Sequence, residues 1–435
     1  MKQAAILTYG CQMNVNESAK IKNILEKMGY GITEDIYASD VVFLNTCTVR
    51  EGAAAQIYGK IGELKSIKRD RGTIIGVTGC FAQEQGAELI RRFPAVDIVM
   101  GNQNIGQIPD LLTSILKDRK NPVVAIQDEN RLPGETEADF GDGVSASIAI
   151  SYGCDNFCAY CIVPYVRGRE RSVPVKSILK TAEDYLRKGC KEILLLGQNV
   201  NSYGKDLGDG TNFAGLLKAL GRLPGEFLIR FVSPHPRDFT PELMDVIAAD
   251  EKIARCIHLP LQSGSTRILK RMNRGYGKEE YLALATAFRQ KIPGIALTTD
   301  IIVGFPGEEE EDFLDTLDVV QKAAFDNAFM FMYSVRRGTR AAEMDGQIEE
   351  EIKKERLRRL MDVQNRLSKK SSEAYQGKMV KVLVEGPSKK NKAMQTGRTS
   401  TNKIVLFAGS EDLKGRFVNI HIQTCKTWTL YGNIT

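Results

Sequence analysis

The stretch "ASIAISYGCDNFCAYC", residues 146–161, places three cysteines directly after a run of apolar and small residues. The run at 146–151 predicts a β-strand, and Cys154, Cys158 and Cys161 after it have the spacing C-x-x-x-C-x-x-C. A structural zinc site needs four ligands, and the histidines of the chain lie far from this stretch in the sequence. A disulfide would leave one of the three cysteines unpaired.

A cubane iron–sulfur cluster suits three neighbouring cysteines better. It has four irons, each of which takes a ligand, so three thiolates leave one iron open to bind a small molecule. The triad therefore favours a 4Fe-4S cluster, with zinc and buried structural cysteines as the alternatives. The N-terminus has no leader typical of secretion, so we expect a cytoplasmic chain with reduced thiols.

Composition and charge indicate a soluble protein of several domains with one basic part. The chain has 435 residues, 43% hydrophobic and 26% charged, which predicts two to four domains. No uncharged apolar run approaches the roughly 18 residues of a membrane span. Residues 376–435 contain ten Lys or Arg against three Asp or Glu, whereas the rest of the chain is nearly neutral. Such a basic module predicts binding to a phosphate backbone, and a solubilising surface is the alternative.

Residues 1–118 alternate predicted strands with predicted helices, which indicates an α/β domain with a doubly wound parallel sheet. The predicted strands are "AAILT" (4–8), "DVVFLN" (40–45), "TIIGVT" (73–78) and "DIVMG" (97–101). The predicted helices cover 16–28, 51–67, 84–92 and 107–117.

A second set of cysteines follows three of these strands. Cys11, Cys47 and Cys80 each come two or three residues after a predicted strand. Because parallel strands end at one edge of a sheet, we expect these cysteines to converge there, and three unrelated buried cysteines are the alternative. Glycines and small polar residues beside them suit turns that expose backbone N–H groups.

The central part, residues 147–372, is predicted to be a partial, open (β/α)6 barrel. Residues 119–146, acidic and rich in Gly and Pro, are predicted to be the linker before it. Its six predicted strands are "ASIAIS", "EILLLG", "FLIRFVS", "CIHLPLQ", "ALTTDIIVGF" and "NAFMFMYS". Six units are fewer than the eight of a closed barrel, and the polar loops after the strands suit a cofactor and a substrate.

The C-terminal part, residues 373–435, is predicted to be a small five-stranded β-barrel that binds RNA. The strands predicted there are "GKMVKVLVEG", "KIVLFAG", "GRFVNIHIQTC" and "TWTLYG". A charged helix at 349–375 precedes them.

Over its whole length the chain resembles the radical S-adenosylmethionine (radical SAM) methylthiotransferases. "CDNFCAYC" resembles the radical SAM cluster motif, and "GCQMN", "NTCTVRE" and "TGCFAQ" resemble the three motifs of the N-terminal methylthiotransferase domain. The basic tail resembles a TRAM domain. The ordered set of six cysteines makes this resemblance specific.

The resemblance implies two 4Fe-4S clusters and S-adenosylmethionine as cofactors. Cys154, Cys158 and Cys161 would hold the radical-generating cluster, and Cys11, Cys47 and Cys80 the auxiliary cluster that supplies sulfur. One S-adenosylmethionine would methylate that sulfur, and a second would supply the 5'-deoxyadenosyl radical that removes hydrogen from the substrate carbon. A flavodoxin- or ferredoxin-type protein would donate electrons.

Within the family, "YGCQMN" and "NTCTVRE" look most like the MiaB-type branch. That branch methylthiolates carbon 2 of N(6)-isopentenyladenosine at position 37 in the anticodon stem-loop of tRNA. The alternative branches act on threonylcarbamoyladenosine in tRNA or on an aspartate of a ribosomal protein. An iron–sulfur protein that binds RNA and senses redox state is the non-enzymatic alternative.

Further residues are candidates for weaker roles. Residues predicted to contact S-adenosylmethionine are Tyr160, Gln198, Asn199 and Asp300. Residues predicted to contact RNA phosphates are Arg167, Arg169, Lys389, Lys390 and Arg398; for the two in the cysteine loop a solvated turn is the alternative. His235 and His258 are either substrate contacts or structural histidines. The other cysteines, Cys190, Cys256 and Cys425, are predicted to pack as small apolar side chains.

Overall fold

Six strands in the N-terminal region form one parallel sheet. This computed structural model describes residues 1–48, 53–126, 132 and 143–435. The strands are β1 (Gln3–Tyr9), β2 (Gly31–Ile32), β3 (Val41–Thr46), β4 (Ile74–Gly79), β5 (Ile98–Met100) and β6 (Val123–Ala125). Their order is β2-β1-β3-β4-β5-β6, and every pairing is parallel.

Helices cover both faces of this sheet, as predicted for a doubly wound fold. They are α1 (Gln12–Lys27), α2 (Ala53–Arg71), α3 (Cys80–Gln85), α4 (Ala87–Arg92) and α5 (Ile108–Lys117). Successive strand residues point to opposite faces, so Val41 packs with α1 and α5 while Val42 packs with α2, α3 and α4. Both clusters are buried, which explains why these strands read as continuous apolar runs.

Part of the predicted linker belongs to the sheet instead. Val123–Ala125 lie within the predicted linker 119–146 but form β6, which pairs with β5. The next strand begins at Ser145, inside the other end of that range. Residues 127–131 and 133–142 of the predicted linker, and 49–52 with the end of the "NTCTVRE" motif, lie outside the described residues.

The chain forms two compact units. The first comprises Met1–Gly141, Ser151–Asp155 and Cys161–Val173, and the second Asp142–Ile150, Asn156–Tyr160 and Pro174–Thr435. The elements that follow β6 in the sequence are β7 (Ser145–Ala149), β8 (Ser151–Tyr152), α6 (Val163–Arg167) and β9 (Arg171–Ser172). The first unit therefore contains β8, α6 and β9 as well as the N-terminal sheet.

The second unit contains the six predicted barrel strands in two parallel three-stranded sheets. With β7, the strands are β10 (Glu192–Leu196), β11 (Leu228–Phe231), β12 (Cys256–His258), β13 (Ala296–Val303) and β14 (Asn327–Met332). Their orders are β11-β10-β7 and β12-β13-β14. The helices between them are α7 (Val175–Arg187), α8 (Phe213–Gly221), α9 (Pro241–Ala249), α10 (Thr266–Arg271), α11 (Lys278–Lys291) and α12 (Glu310–Ala323). This alternation confirms the partial barrel.

A long helix leads into a closed five-stranded barrel at the C-terminus. The elements are α13 (Glu350–Glu373), β15 (Met379–Pro387), β16 (Met394–Thr399), β17 (Ile404–Ala408), β18 (Phe417–Cys425) and β19 (Thr429–Ile434). The closed order is β15-β16-β17-β19-β18, so the predicted barrel is confirmed. Val384, Phe407 and Ile420 are among its buried interior residues.

The small barrel packs on the second unit's strands through a mixed seam. Val144 and Leu228 contact Leu383 of the barrel in one apolar cluster. Arg230 donates hydrogen bonds to two barrel carbonyls, those of Thr399 at 2.7 Å and Ser400 at 3.0 Å. Among the described residues no helix is long and apolar enough to cross a membrane.

Candidate functional site

Three cysteines of the first unit follow three neighbouring strands of the sheet. β1, β3 and β4 lie side by side, and Tyr9 pairs with Thr46, which pairs with Gly79. Cys47 and Cys80 each come directly after these paired residues, and Cys11 two residues after Tyr9. The structure therefore brings Cys11, Cys47 and Cys80 to one edge of the sheet.

Tight local geometry fixes the backbone beside these cysteines. Gly79 has φ +96°, and a Cβ there would lie 2.2 Å from the carbonyl oxygen of Thr46. Only glycine allows this close approach, which starts α3 at Cys80. Cys11 caps the N-terminus of α1, where unpaired backbone N–H groups and the helix dipole favour a negatively charged side chain.

The surroundings favour thiolate at Cys11. A hydrogen bond from Cys47 lowers the pKa of Cys11 to about 5, with further lowering by the charge of Arg167 and by backbone N–H groups, while burial opposes it. Burial raises the pKa of Cys80, and Arg167 opposes that rise. Thiolate is the form that binds metal, so an electropositive group beside the triad favours ligation.

Arg167 is the electropositive group, and it is buried. Its Nη1 and Nη2 donate to the two carboxylate oxygens of Glu17 at 2.7 and 3.3 Å, and its Nε donates to Cys80 Sγ at 3.1 Å. The side chains of Arg167 and Glu17 are 4% and 3% exposed. RNA phosphates cannot reach a guanidinium enclosed in this way, so the prediction that Arg167 binds RNA is wrong.

The residue types at this edge suit an iron–sulfur cluster. Such clusters are bound by cysteine thiolates, and Cys11, Cys47 and Cys80 supply three. Within the described ranges, no three Cys, His, Asp or Glu side chains are grouped closely enough for one metal ion. Asn102 Nδ2 also approaches Cys80 Sγ at 3.6 Å, and N–H donors to sulfur are typical of iron–sulfur sites.

The second triad, Cys154, Cys158 and Cys161, follows β8 in the sequence. Cys154 and Cys161 belong to the first unit and Cys158 to the second. Before Cys154, Gly153 has φ +80°, and a Cβ there would lie 2.0 Å from the carbonyl oxygen of Arg169. The backbone N–H of Cys154 donates to the carbonyl oxygen of Gly168, so the backbone at Cys154 packs directly against the segment at 168–169.

A buried arginine also contacts the second triad at Cys158. Arg274 Nη1 donates to Cys158 Sγ at 3.3 Å, and Nη2 donates to the carbonyl of Pro260 at 3.1 Å. Its Nε donates to the hydroxyl of Tyr276 at 3.0 Å. Burial opposes its charge, but neighbouring tyrosines and Cys158 hold the pKa of Arg274 well above its ordinary value.

Three buried polar atoms follow the carboxyl ends of strands in the second unit. They belong to Asn199 (Oδ1) after β10, His235 (Nε2) after β11 and Tyr333 (hydroxyl) after β14, and none has a hydrogen-bond partner among the described residues. Buried polar groups are normally paired, so these three atoms at strand ends are candidates for contacts with a ligand. His235 Nδ1 accepts from the N–H of Arg237, which leaves Nε2 as the protonated nitrogen.

The residues predicted to contact the cofactor lie at several strands. Asn199 Nδ2 donates to Asp238 at 2.8 Å, and Gln198 precedes it in the same loop. Tyr160 follows Cys158 and packs against an apolar cluster that includes Phe305.

Asp300 lies on a partly exposed face of the β12-β13-β14 sheet. Its Oδ2 is 3.2 Å from His258 Nε2 on the neighbouring strand. Asp300 is also registered with Phe329, and Phe329 and Phe331 of β14 are both exposed. Ile301 and Ala328, on the opposite face, are buried. One face of this sheet therefore presents two aromatic rings beside a histidine–carboxylate pair.

The remaining predicted RNA contacts lie at the surface. Lys389 and Lys390 are exposed in the turn between β15 and β16, and Arg169 is exposed and 2.8 Å from Asp155. Arg398 is half-buried and pairs with Glu385 at 2.9 Å. Arg398 also lines a cleft of about 620 Å³ between the barrel and the loop before β11.

Sequence reasoning missed Glu17, Asn102 and Arg274. Each of them contacts a cysteine, or an arginine beside a cysteine, that is distant in the sequence. Glu17 and Arg167 are 150 residues apart, and Arg274 and Cys158 are 116 residues apart. A charged residue in a helix or turn is most often exposed, so their burial had no local signal. As predicted, Cys190 is buried, and its Sγ donates to the backbone carbonyls of Val144 and Glu192.

Three sequence-family models match the chain in order. A model described as an uncharacterized protein family, UPF0004, matches residues 3–101, the radical SAM superfamily matches 148–320, and the TRAM domain matches 373–435. These matches agree with the three-part architecture.

Curated relatives match the chain over its whole length. It is 64% identical over 434 residues to tRNA-2-methylthio-N(6)-dimethylallyladenosine synthase of Fusobacterium nucleatum subsp. nucleatum, which covers 100% of both chains. It is 49% identical to the protein of that name from Acetivibrio thermocellus, covering 98% of this chain and 90% of the relative. Among solved structures, the radical S-adenosylmethionine methyltransferase TsrM from Kitasatospora setae aligns with TM-score 0.58 and 16% identity, over 79% of this chain and 75% of that one. The latter likeness is one of fold.

Proposed function

Because the chain belongs to the family of tRNA-2-methylthio-N(6)-dimethylallyladenosine synthases, we propose that it converts N(6)-isopentenyladenosine at position 37 of tRNA to the 2-methylthio derivative. It is a radical SAM enzyme, a class that uses an iron–sulfur cluster and S-adenosylmethionine. The observation that carries the proposal is the full-length relationship, which spans all three domains.

The two cysteine triads are proposed to hold two 4Fe-4S clusters. Cys154, Cys158 and Cys161 would bind one, and Cys11, Cys47 and Cys80 the other. When bound, these groups and S-adenosylmethionine supply the radical that removes a hydrogen atom and the sulfur that replaces it. The support for the triad of Cys11, Cys47 and Cys80 is its position at three neighbouring strand ends beside the buried guanidinium of Arg167.

The chain's own residues would bind and orient S-adenosylmethionine at the strand ends of the second unit. Asn199, His235 and Tyr333 each offer a buried polar atom without a partner among the described residues. Neutral His235 would donate through Nε2, and Asn199 would accept through Oδ1. Tyr160, Gln198 and Asp300 remain proposed contacts to the same cofactor.

The exposed aromatic face of β14 would receive the modified base. Phe329 and Phe331 present their rings on one side of the strand, next to Asp300 and His258. Aromatic rings stack on nucleobases, and an isopentenyl group gains from burial against them. A pocket of this kind would prefer the apolar isopentenyl group to a charged threonylcarbamoyl group.

The domains are proposed to divide the work as follows. Residues 1–118 would bind the auxiliary cluster, residues 147–372 would generate the radical, and residues 373–435 would bind the tRNA. Lys389, Lys390, Arg398 and Arg169 would contact phosphates of the anticodon stem-loop. A flavodoxin- or ferredoxin-type donor would supply electrons, and the site of action is the cytoplasm, where tRNA is modified.

Iron content and product analysis test the assignment of the two triads. Anaerobically reconstituted protein should hold about eight irons, because each triad closes one cubane. Changing Cys154, Cys158 and Cys161 to Ala should leave about four and abolish deoxyadenosine formation. Cys47→Ala should still form deoxyadenosine but no 2-methylthio product. Normal methylthio product from Cys47→Ala would overturn the role of the N-terminal triad.

Nucleoside mass spectrometry separates the branches. The isopentenylated tRNA should be the preferred substrate, and tRNA lacking that group should react poorly because it loses roughly 0.8 kcal/mol of burial energy per methylene. Preference for threonylcarbamoylated tRNA, or for a ribosomal protein aspartate, would support a methylthiotransferase but would overturn its assignment to the isopentenyladenosine branch. Binding of RNA with no cleavage of S-adenosylmethionine would support the redox-sensing alternative.

A further inference from the structure

Arg167 connects two segments that carry cysteines of different triads. It is the last residue of α6, which begins two residues after Cys161. Its guanidinium reaches Cys80 and Glu17, so the helix that follows one triad is bonded to a cysteine of the other. All of these residues lie within the first unit.

Apolar contacts reinforce the same connection. Ile162 and Val166 pack with Cys80 in one buried cluster, and Ile162 directly follows Cys161. At the other end of the cysteine loop, Lys20 of α1 donates to the hydroxyl of Tyr152 at 2.9 Å. The parts of this segment beside Cys154 and Cys161 thus contact helices α1 and α3 of the first unit.

We propose that Arg167 is a positioning residue shared by both cluster sites: its guanidinium sets the electrostatic surroundings of Cys80, and its helix fixes Cys161. The inference rests on the proposed function, since it assumes that both triads bind clusters. Hydrogen bonds to sulfur and nearby charge set the reduction potential of such clusters.

The contact with Cys80 distinguishes this role from that of a structural ion pair. Pairing with Glu17 uses Nη1 and Nη2, and it would be complete without the third bond from Nε to Cys80 Sγ. The carboxylate holds the guanidinium plane while Nε faces the sulfur. Arg167 and Glu17 should therefore act on the cluster with opposite signs.

The first experiment isolates the auxiliary cluster in full-length protein in which Cys154, Cys158 and Cys161 are Ala. Potentiometric titration followed by electron paramagnetic resonance should show a lower potential for Arg167→Met, which loses a positive charge and a donor to sulfur. Glu17→Gln should show a higher reduction potential, because the carboxylate no longer neutralises the positive charge of the Arg167 guanidinium. Arg167→Lys should lie between Arg167→Met and the parent.

Two further variants distinguish this electrostatic role from an effect of misfolding. The double variant Glu17→Gln with Arg167→Met leaves no buried charge unpaired, so it should fold, yet its potential should stay below that of the parent. Lys68→Met removes a cation from another ion pair of the same unit, with Asp97 at 2.6 Å, and should leave the potential unchanged. Shifts of the same sign for Arg167→Met and Glu17→Gln would overturn the electrostatic role.

The second experiment isolates the other cluster in full-length protein in which Cys11, Cys47 and Cys80 are Ala. Arg167→Met should release its iron to a chelator faster, because α6 loses its anchor to Glu17. Loss of a residue that holds a metal ligand in place typically costs about 10-fold or more in metal affinity. An unchanged rate would overturn the link to Cys161. If the parent triple variants bind no iron at all, the proposed function fails instead of this inference.

Discussion

His235 is a buried histidine surrounded by cations. Burial is the largest cause that lowers its pKa, to about 2, and Arg274, Arg237 and Lys205 lower it further. The ring of Tyr276 lies edge-on at 5.7 Å and offers no compensating charge. This lowered pKa favours the neutral imidazole in the folded chain near neutral pH.

We expect the neutral state of His235 to make the fold sensitive to acid. Its folded pKa is lowered, so below pH about 6.5 only the unfolded chain takes up the proton, and stability falls by at most about 1.4 kcal/mol per pH unit. His235→Asn keeps an acceptor for the N–H of Arg237 and should flatten this dependence. Denaturant unfolding at pH 7.5, 6.5 and 5.5 measures it, and equal slopes for both proteins would contradict the prediction.

The turn between β15 and β16 carries exposed lysines of the basic barrel segment that is predicted to bind RNA. Lys389 and Lys390 lie there, outside the pairing of the two strands. Each lysine that neutralises a phosphate releases counterions from the nucleic acid, so it contributes to the salt dependence of binding.

Changing Lys389 and Lys390 to Ala should weaken tRNA binding and reduce its salt slope by about two. Cleavage of S-adenosylmethionine without tRNA should be unchanged. Lys322→Ala, on α12 and paired with Asp318, is the matched control on an exposed lysine outside the barrel. Filter binding at several salt concentrations would detect the difference, and equal slopes for all three proteins would support a solubilising role for the lysines.

Strand β16 shows where sequence reasoning fails at the level of elements. Its sequence, "MQTGRT", has no apolar alternation, yet Gln395, Gly397 and Thr399 are its buried residues. Gly397 cannot be larger, since a Cβ would lie 2.5 Å from the carbonyl oxygen of Leu383. The barrel interior beside β16 has room only for small and polar side chains, so the strand lacks the usual alternation of apolar and polar residues. β6 was missed because it is only three residues long and adjoins an acidic segment.

Elements with strong apolar runs were predictable. β3 and β4 are buried along their whole length, so their sequences are mostly apolar and their parallel pairing follows. The cysteine positions were predictable for the same reason, because strand ends are fixed once strands are. The contacts of Arg167 and Arg274 were not, since they depend on which distant segments meet.

At the scale of the whole molecule, the seam between the small barrel and the second unit's strands bears on how the barrel is tested. Val144 and Leu228 would become exposed if residues 376–435 were deleted, and Arg230 would lose its two carbonyl acceptors. Deletion would therefore alter stability as well as tRNA binding. Point substitutions in the lysine turn separate these effects.

Leu383→Ala should measure the seam directly. Leu383 is 3% exposed, and its truncation should lower the free energy of unfolding by about 2–5 kcal/mol. Met379→Ala, on the same strand but 51% exposed, should cost less than about 1 kcal/mol. Chemical denaturation of iron-loaded protein compares them, and equal losses would show that the seam contributes little.

The ion pair of Glu17 with Arg167 also orders events on the ribosome. The two residues are 150 positions apart, so a nascent chain that has already made the whole N-terminal sheet still holds Glu17 without its partner. Domains usually fold as units during synthesis, in order from the N-terminus. Here the first unit cannot be completed until Val173 has left the exit tunnel. Completion of this unit must therefore wait for translation of part of the next domain.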